Sequence, residues 1–222
     1  MRNSRFRRAA VLLTAVFAMV PHVGGAERFE FSGDSTEIVF AEDRERTLLS
    51  GNARLVSEDL EIDAEEIELY GEDFRYAECR GGVRAVDRDR GIRMETQRLF
   101  FDREEEVLRA EGDAVFEDVD NDLLVRAGMI ESRRQEELTT AQVQVRIFGE
   151  ELTARGEYVR YRREEHVFEL SGLPVVYRRG DEYRASRIVL NTDTDEVTLE
   201  GEVRGVITTE ETTAEEPQEG EE

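Results

Sequence analysis

The sequence predicts an all-β protein of repeated antiparallel strands, and three observations predict it. Apolar residues recur at every second position rather than at three and four, which places them on one face of a strand. A small-residue motif returns about every thirty residues, the mark of one supersecondary unit used repeatedly. Short polar links such as Asp102-Arg103-Glu104-Glu105 separate the apolar runs and suit hairpin turns.

The chain opens with Arg2, Arg5, Arg7 and Arg8, an apolar run from Ala9 to Val20, and then Gly24, Gly25 and Ala26. This is the grammar of a secretory signal peptide, with cleavage expected after Ala26. The run is shorter than the roughly 20 apolar residues that span a bilayer. Retention of residues 1–26 as an anchor is the alternative. Residues 27–207 read as one domain, and the stretch 208–222, with seven glutamates and almost nothing apolar, reads as a disordered acidic tail. The lone Cys79 cannot form an intramolecular disulfide, so packing and strand hydrogen bonds must hold the fold.

Within the domain two signatures alternate. The first is apolar-x-apolar-x-small-x-apolar. It appears at Leu49, Gly51, Ala53 and Leu55, at Ala77 to Ala85, at Leu108 to Phe116, at Phe168 to Val176 and at Val197 to Val203. A weaker copy sits at Ala141, Val143 and Val145, so the small residue falls at 51, 81, 112, 141, 172 and 201, at intervals of 30, 31, 29, 31 and 29.

The second signature is apolar-x-apolar-x-Ala-x-x-apolar-x-apolar. Its copies are Leu60, Ile62, Ala64, Ile67, Leu69; Ile92, Met94, Thr96, Leu99, Phe101; Leu123, Val125, Ala127, Ile130; and Tyr183, Ala185, Ile188, Leu190. Leu152 and Ala154 begin another, in which an extra residue pushes the next partner to Tyr158 or Val159. The three-residue step would turn the apolar row outward unless the chain bends there. It is read as a corner, where a strand passes from one sheet to another with its apolar side still inward. Ser132 to Leu138 carries a possible capping box but only one apolar side chain, and reads as a loop.

Composition narrows function. The net charge is −23, and residues 27–207 alone carry −20, a field that disfavours nucleic acid and anionic membrane surfaces. Outside the signal, His166 and Cys79 are the sole histidine and cysteine and lie in different repeats, so no nucleophilic constellation or catalytic residue is nominated. Cys79 falls in the inward phase as a small hydrophobe. Asp118, Asp120 and Asp122, and Asn191, Asp193 and Asp195, have alternate-acid spacing. Both sets lack the glycine of a calcium loop and read as turns, so no metal or other cofactor is assigned.

"LLSGNARL" with "LEIDAEEIELY", "LRAEGDAVF" with "LLVRAGMI", and the closing "YRASRIVLNTDTDEVTLEGEV" resemble the OstA-like (LptA-like) domain family of lipopolysaccharide-transport proteins over residues 29–207. The resemblance implies an open OstA-like β-jelly roll of two facing sheets in the periplasm that carries lipopolysaccharide, or a related glycolipid, from the inner toward the outer membrane. It further implies a non-catalytic bridge that stacks end to end, as a head-to-tail homo-oligomer or with LptC-like and LptD-like partners. Phe29 to Phe40 would form one edge and Val197 to Val206 the other. Leu60, Ile62, Ile67, Leu69, Met94, Leu99, Phe101, Val125, Ile130 and Ile188 would line the lipid groove. The residues themselves suit an ordinary sandwich core equally well. A non-catalytic β-repeat scaffold that assembles through its edges, and an LptC-like membrane-tethered form, remain the alternatives. Arginines at 88, 90 and 93, at 160, 162 and 163, and at 178, 179 and 184 could meet phosphate headgroups or balance neighbouring glutamates.

Overall fold

A computed structural model describes residues 29–40 and 45–208; the expected signal peptide (1–26) and residues 209–222 of the expected acidic tail lie outside them. Eight long strands, forming four successive hairpins, make up the middle of the described residues, and shorter strands flank them at both ends. The strands are β1 (Glu30–Ser32), β2 (Ser35–Val39), β3 (Arg46–Val56), β4 (Leu60–Tyr70), β5 (Tyr76–Asp87), β6 (Ile92–Asp102), β7 (Val107–Asp118) and β8 (Leu123–Arg133). They continue as β9 (Leu138–Phe148), β10 (Leu152–Arg162), β11 (Val167–Ser171), β12 (Val175–Arg178), β13 (Asp181–Arg184), β14 (Arg187–Asn191), β15 (Glu196–Glu200) and β16 (Arg204–Val206). All pairings are antiparallel and follow chain order from β3 to β10, giving one open sheet with unpaired edges at both ends. No described helix is long and apolar enough to cross a membrane.

Every long pairing contains a register shift at its middle. Between β3 and β4, Ser50 faces Glu66 and Ala53 faces Ala64, so Gly51 and Asn52 stand against Glu65 alone. Gly81 and Gly82 stand likewise against Gln97, and Gly112 and Asp113 against Gly128. Both residues of each pair have positive φ, for instance 73° and 47° at Gly51 and Asn52. Such a two-against-one bulge bends a strand sharply. Because the bulges line up from strand to strand, the whole sheet folds along one corner line into two leaves.

Leaf 1 holds β1, the second halves of β3, β5, β7 and β9, the first halves of β4, β6, β8 and β10, and then β12, β13 and β16. Leaf 2 holds the complementary halves with β2, β11, β14 and β15. The inward rows of both leaves belong to one buried cluster from Leu49 to Leu190, so the leaves face each other. Hairpin turns of both leaves lie opposite the corner line and form a mouth along the length of the roll.

Three sequence expectations change. The fourth small-residue position is not Ala141, which pairs within the strands, but the corner pair Val143 and Gln144, with φ of 70° and 53°. In β10 no residue is extra: Gly156 takes the corner position, Val159 is buried, and Tyr158 is 39% exposed. Ser132 lies inside β8, facing inward to accept a hydrogen bond from Thr139, and within the stretch from Ser132 to Leu138 a 3₁₀ turn is confined to Arg134–Glu136. The edges fall where expected, at β1 and β2 and at β15 and β16.

Candidate functional site

The ten nominated residues meet in the space between the leaves. Leu60, Ile62, Met94 and Val125 project from leaf 1, and Ile67, Leu69, Leu99, Phe101, Ile130 and Ile188 from leaf 2; none is more than 7% exposed. Cys79 stands among them, fully buried, and burial pushes its thiol up to about 12, away from thiolate chemistry. Small residues such as Ala77, Ala110 and Ala154 let the leaves approach, and Phe116 and Phe168 fill the wider places.

Access to this interior is through the mouth. Among the described residues no backbone hydrogen bond joins leaf 1 to leaf 2 there; the closure is made by side chains. At the first end Phe29 of leaf 1 meets Phe74 of leaf 2 edge to face, at 6.4 Å between centroids, with the Arg103 guanidinium 4.4 Å over the Phe29 ring. In the middle, Arg134 on a leaf 2 turn donates from Nε to Asp87 at 2.8 Å, and Arg163 one repeat later donates likewise to Asp118 at 2.8 Å. Arg90 and Glu137 pair across the same gap at 2.9 Å. Arg178 pairs with Asp195 at the far end.

These acids are unusual in position. Asp118 has a side-chain exposure of 0% and Asp87 of 3%, each the last inward position of its strand. A bare carboxylate there would be costly, so every lone pair needs a donor. Asp118 accepts from Arg163, from Asn121 at 2.8 Å and from the Tyr161 hydroxyl at 3.4 Å. Burial, followed by the Asp118 charge, pushes the Tyr161 phenol upward. On leaf 2, the Arg75 guanidinium hydrogen-bonded to Asp102 holds that carboxyl below its ordinary value. Sequence reasoning passed over this row, although Ala85-x-Asp87 and Phe116-x-Asp118 continue the inward period of two.

Where the Arg178–Asp195 pair spans the mouth, a cavity of about 370 Å³ opens beneath it. Its floor is Leu123, Leu152, Tyr161, Phe168 and Leu190, with the Tyr161 and Phe168 rings stacked at 4.3 Å. None of these was among the ten nominated residues. Of the nine clustered arginines, eight pair with carboxylates: Arg88 with Glu61, Arg93 with Glu117, Arg162 with Glu165 and Glu169, Arg179 with Glu151, Arg184 with Glu182, and Arg90, Arg163 and Arg178 as above. Balancing neighbouring acids is therefore their role in this conformation. The alternate-acid segments serve as turns, Asn191 Oδ1 accepting from the backbone of Asp193 and Thr194 at 2.9 Å.

The arrangement is an apolar trough, closed on one side by covalent corners and on the other by ion pairs. The family model for the LptA/(LptD N-terminal domain) LPS transport proteins matches residues 35–196. No curated protein sequence matches the chain. Among solved structures, the crystal structure of LptH, the LptA homologous periplasmic component of the lipopolysaccharide transport device from Pseudomonas aeruginosa, aligns with 11% identity. That alignment covers 82% of this chain and 96% of LptH, with a TM-score of 0.26.

Proposed function

The chain belongs to the LptA/LptD N-terminal domain family of lipopolysaccharide-transport proteins, and on that premise we propose that it is a periplasmic, lipid-binding bridge component. It would be exported by a cleaved signal over residues 1–26, leaving a jelly-roll domain over 27–207 and an acidic tail. It would hold the acyl chains of lipopolysaccharide, or a related glycolipid, between its leaves against Leu60, Ile62, Ile67, Leu69, Met94, Leu99, Phe101, Val125, Ile130 and Ile188. Transport through it needs binding and release but no bond chemistry, and we assign it no enzymatic step.

One observation carries this reading: a continuous apolar interior runs between two unpaired sheet edges and is closed along its mouth by side-chain contacts alone. An ordinary sandwich core needs no such opening side. Acyl chains entering here would part the leaves at the mouth, replacing contacts between apolar side chains with contacts to methylene groups, worth about 0.8 kcal/mol for each CH₂ taken from water. The edges serve the second half of the function, since an unpaired strand is a template for another chain. β1 and β2 would receive an LptC-like partner, and β15 and β16 the next copy or an LptD-like receptor.

Photo-crosslinking in cells tests the reading, with a reactive residue at Ile62 or Leu99 and at Glu95 as an outward control. Lipid adducts at the inward positions alone are expected, and their mass identifies the cargo. A well-expressed protein without adducts at either inward site would replace the bridge with an edge-assembling scaffold.

A further inference from the structure

The outer face of leaf 1 carries a row of directly opposed residues that crosses the sheet, and its two halves differ in charge. From the first edge it runs Arg54, Asp63, Arg84, Glu95, alternating in sign and paired, with Arg54–Asp63 and Arg84–Glu95 each at 3.4 Å. After Val115 the same row reads Arg126, Arg146, Arg155, Val175, Arg184, Arg204, with no acid in it. Like charges directly opposite one another destabilise a sheet. Arg126, Arg146 and Arg155 nevertheless stand side by side on three successive strands.

These arginines also lack a close ion pair or hydrogen bond among the described residues. Five arginines of the described residues make neither an ion pair nor a hydrogen bond, and Arg126, Arg146, Arg155 and Arg204 are four of them. Arg160, on leaf 2, is the fifth. Glu182 in the adjoining row pairs with Arg184, which holds its carboxyl below the ordinary value, and the Arg155 charge adds a smaller pull from a distance. That adjoining row presents Phe148, Tyr177 and Val206 to solvent, at 39%, 39% and 62% exposure. In a chain of net charge −23 an unpaired basic stripe is a local reversal of the field, and it ends on the edge strand β16.

We propose that this stripe is a docking site for an extended acidic peptide, and that its occupant is the chain's own segment 209–222. That segment carries Glu210, Glu211, Glu215, Glu216, Glu219, Glu221 and Glu222 and no basic residue. It starts beside the stripe, because Thr208 is pinned next to the β12–β13 turn by hydrogen bonds to Asp181 and Gly180, four residues beyond Arg204. At about 4.8 Å per strand, the row from Arg126 to Arg204 spans roughly 24 Å. Fourteen residues reach at most about 50 Å extended, enough to return to Arg204 and run the length of the row. Tethering places the glutamates at millimolar effective concentration, so modest charge pairing suffices. This inference is independent of the lipid reading of the interior.

The test uses the whole mature chain with a nitroxide at Ala214→Cys; Cys79 is fully buried and escapes labelling. Amides of β9, β10 and β12 should lose signal at ~10 mM salt, where the Debye length is about 30 Å, and recover at ~1 M, where it is about 3 Å. The doubly substituted Arg146→Ser/Arg155→Ser chain should show no loss at either salt; both positions are exposed, and its circular dichroism checks that it folds. Unchanged signals in the parent chain at low salt would overturn the proposal. So would binding of phosphatidylglycerol vesicles that needs Arg146 and Arg155 but is indifferent to replacing the seven glutamates with glutamine, which would assign the stripe to a membrane surface instead.

Discussion

At the scale of single residues, the most exacting feature is a charge placed where the pattern asks for an apolar side chain. Asp118 continues the inward row of β7 after Phe116, and at 0% exposure it is tolerable only because Arg163, Asn121 and Tyr161 surround it. Removing one partner of such a pair strands the other in the interior, at a cost of about 3–5 kcal/mol, whereas replacing both can be neutral or better. Arg163→Met should therefore lower stability by about that amount in urea titration, and Asp118→Leu in the same chain should recover most of it. A loss of under about 1 kcal/mol in the single variant would mean that the pair behaves like a surface salt bridge. The inward phase of Asp118 is legible in the sequence. Its partner is not, since Arg163 lies 45 residues away.

At the scale of elements, the corner governs everything downstream. A bulge of two residues against one lets β3, β5 and β7 keep their inward phase, and the three-residue step in β4, β6 and β8 is the same bulge seen from its other side. Glycine suits the first corner position, as at Gly172, where an added Cβ would come within 2.6 Å of the Glu157 Cβ. The fourth repeat has Val143 instead, a β-branched residue at φ 70°. A left-handed conformation costs a non-glycine residue about 1–2 kcal/mol, partly offset by the greater chain entropy of glycine in the unfolded state. Val143→Gly should thus stabilise the protein by about 0.5–1 kcal/mol, raising its melting temperature by about 1–4 °C. A fall in melting temperature would show that the half-exposed valine packs against Gly128 more usefully than its backbone is strained. Nothing in the structure explains why valine occupies this corner. Because the residue is not small, the sequence pattern settled on Ala141 and missed the position by two.

At the scale of the whole molecule, the sheet formed by the described residues neither closes nor covers its ends. Val203 and Val206 are more than half exposed beside the last edge. Lysine on an exposed edge is the usual guard against strand addition. A Val203→Lys/Val206→Lys chain should sediment as a monomer at concentrations where the parent associates, with an unchanged melting temperature. Equal association of the two would remove β16 from the contact. The overall charge of −23 opposes assembly at low salt, so association should strengthen as salt rises toward physiological strength.

The sequence by itself determined the strand phase, the spacing of every corner but the fourth, and the inward phase of the ten residues. Each of these is a local property, fixed by side-chain alternation or by backbone angles within a few residues. Tertiary structure alone decided which turns meet across the mouth, where the cavity above Tyr161 and Phe168 opens, and that five arginines from five strands fall into one line. Those outcomes depend on register between strands and on the fold of one leaf over the other. A degenerate repeat offers many equivalent partners for each arginine, and only the folded sheet selects among them.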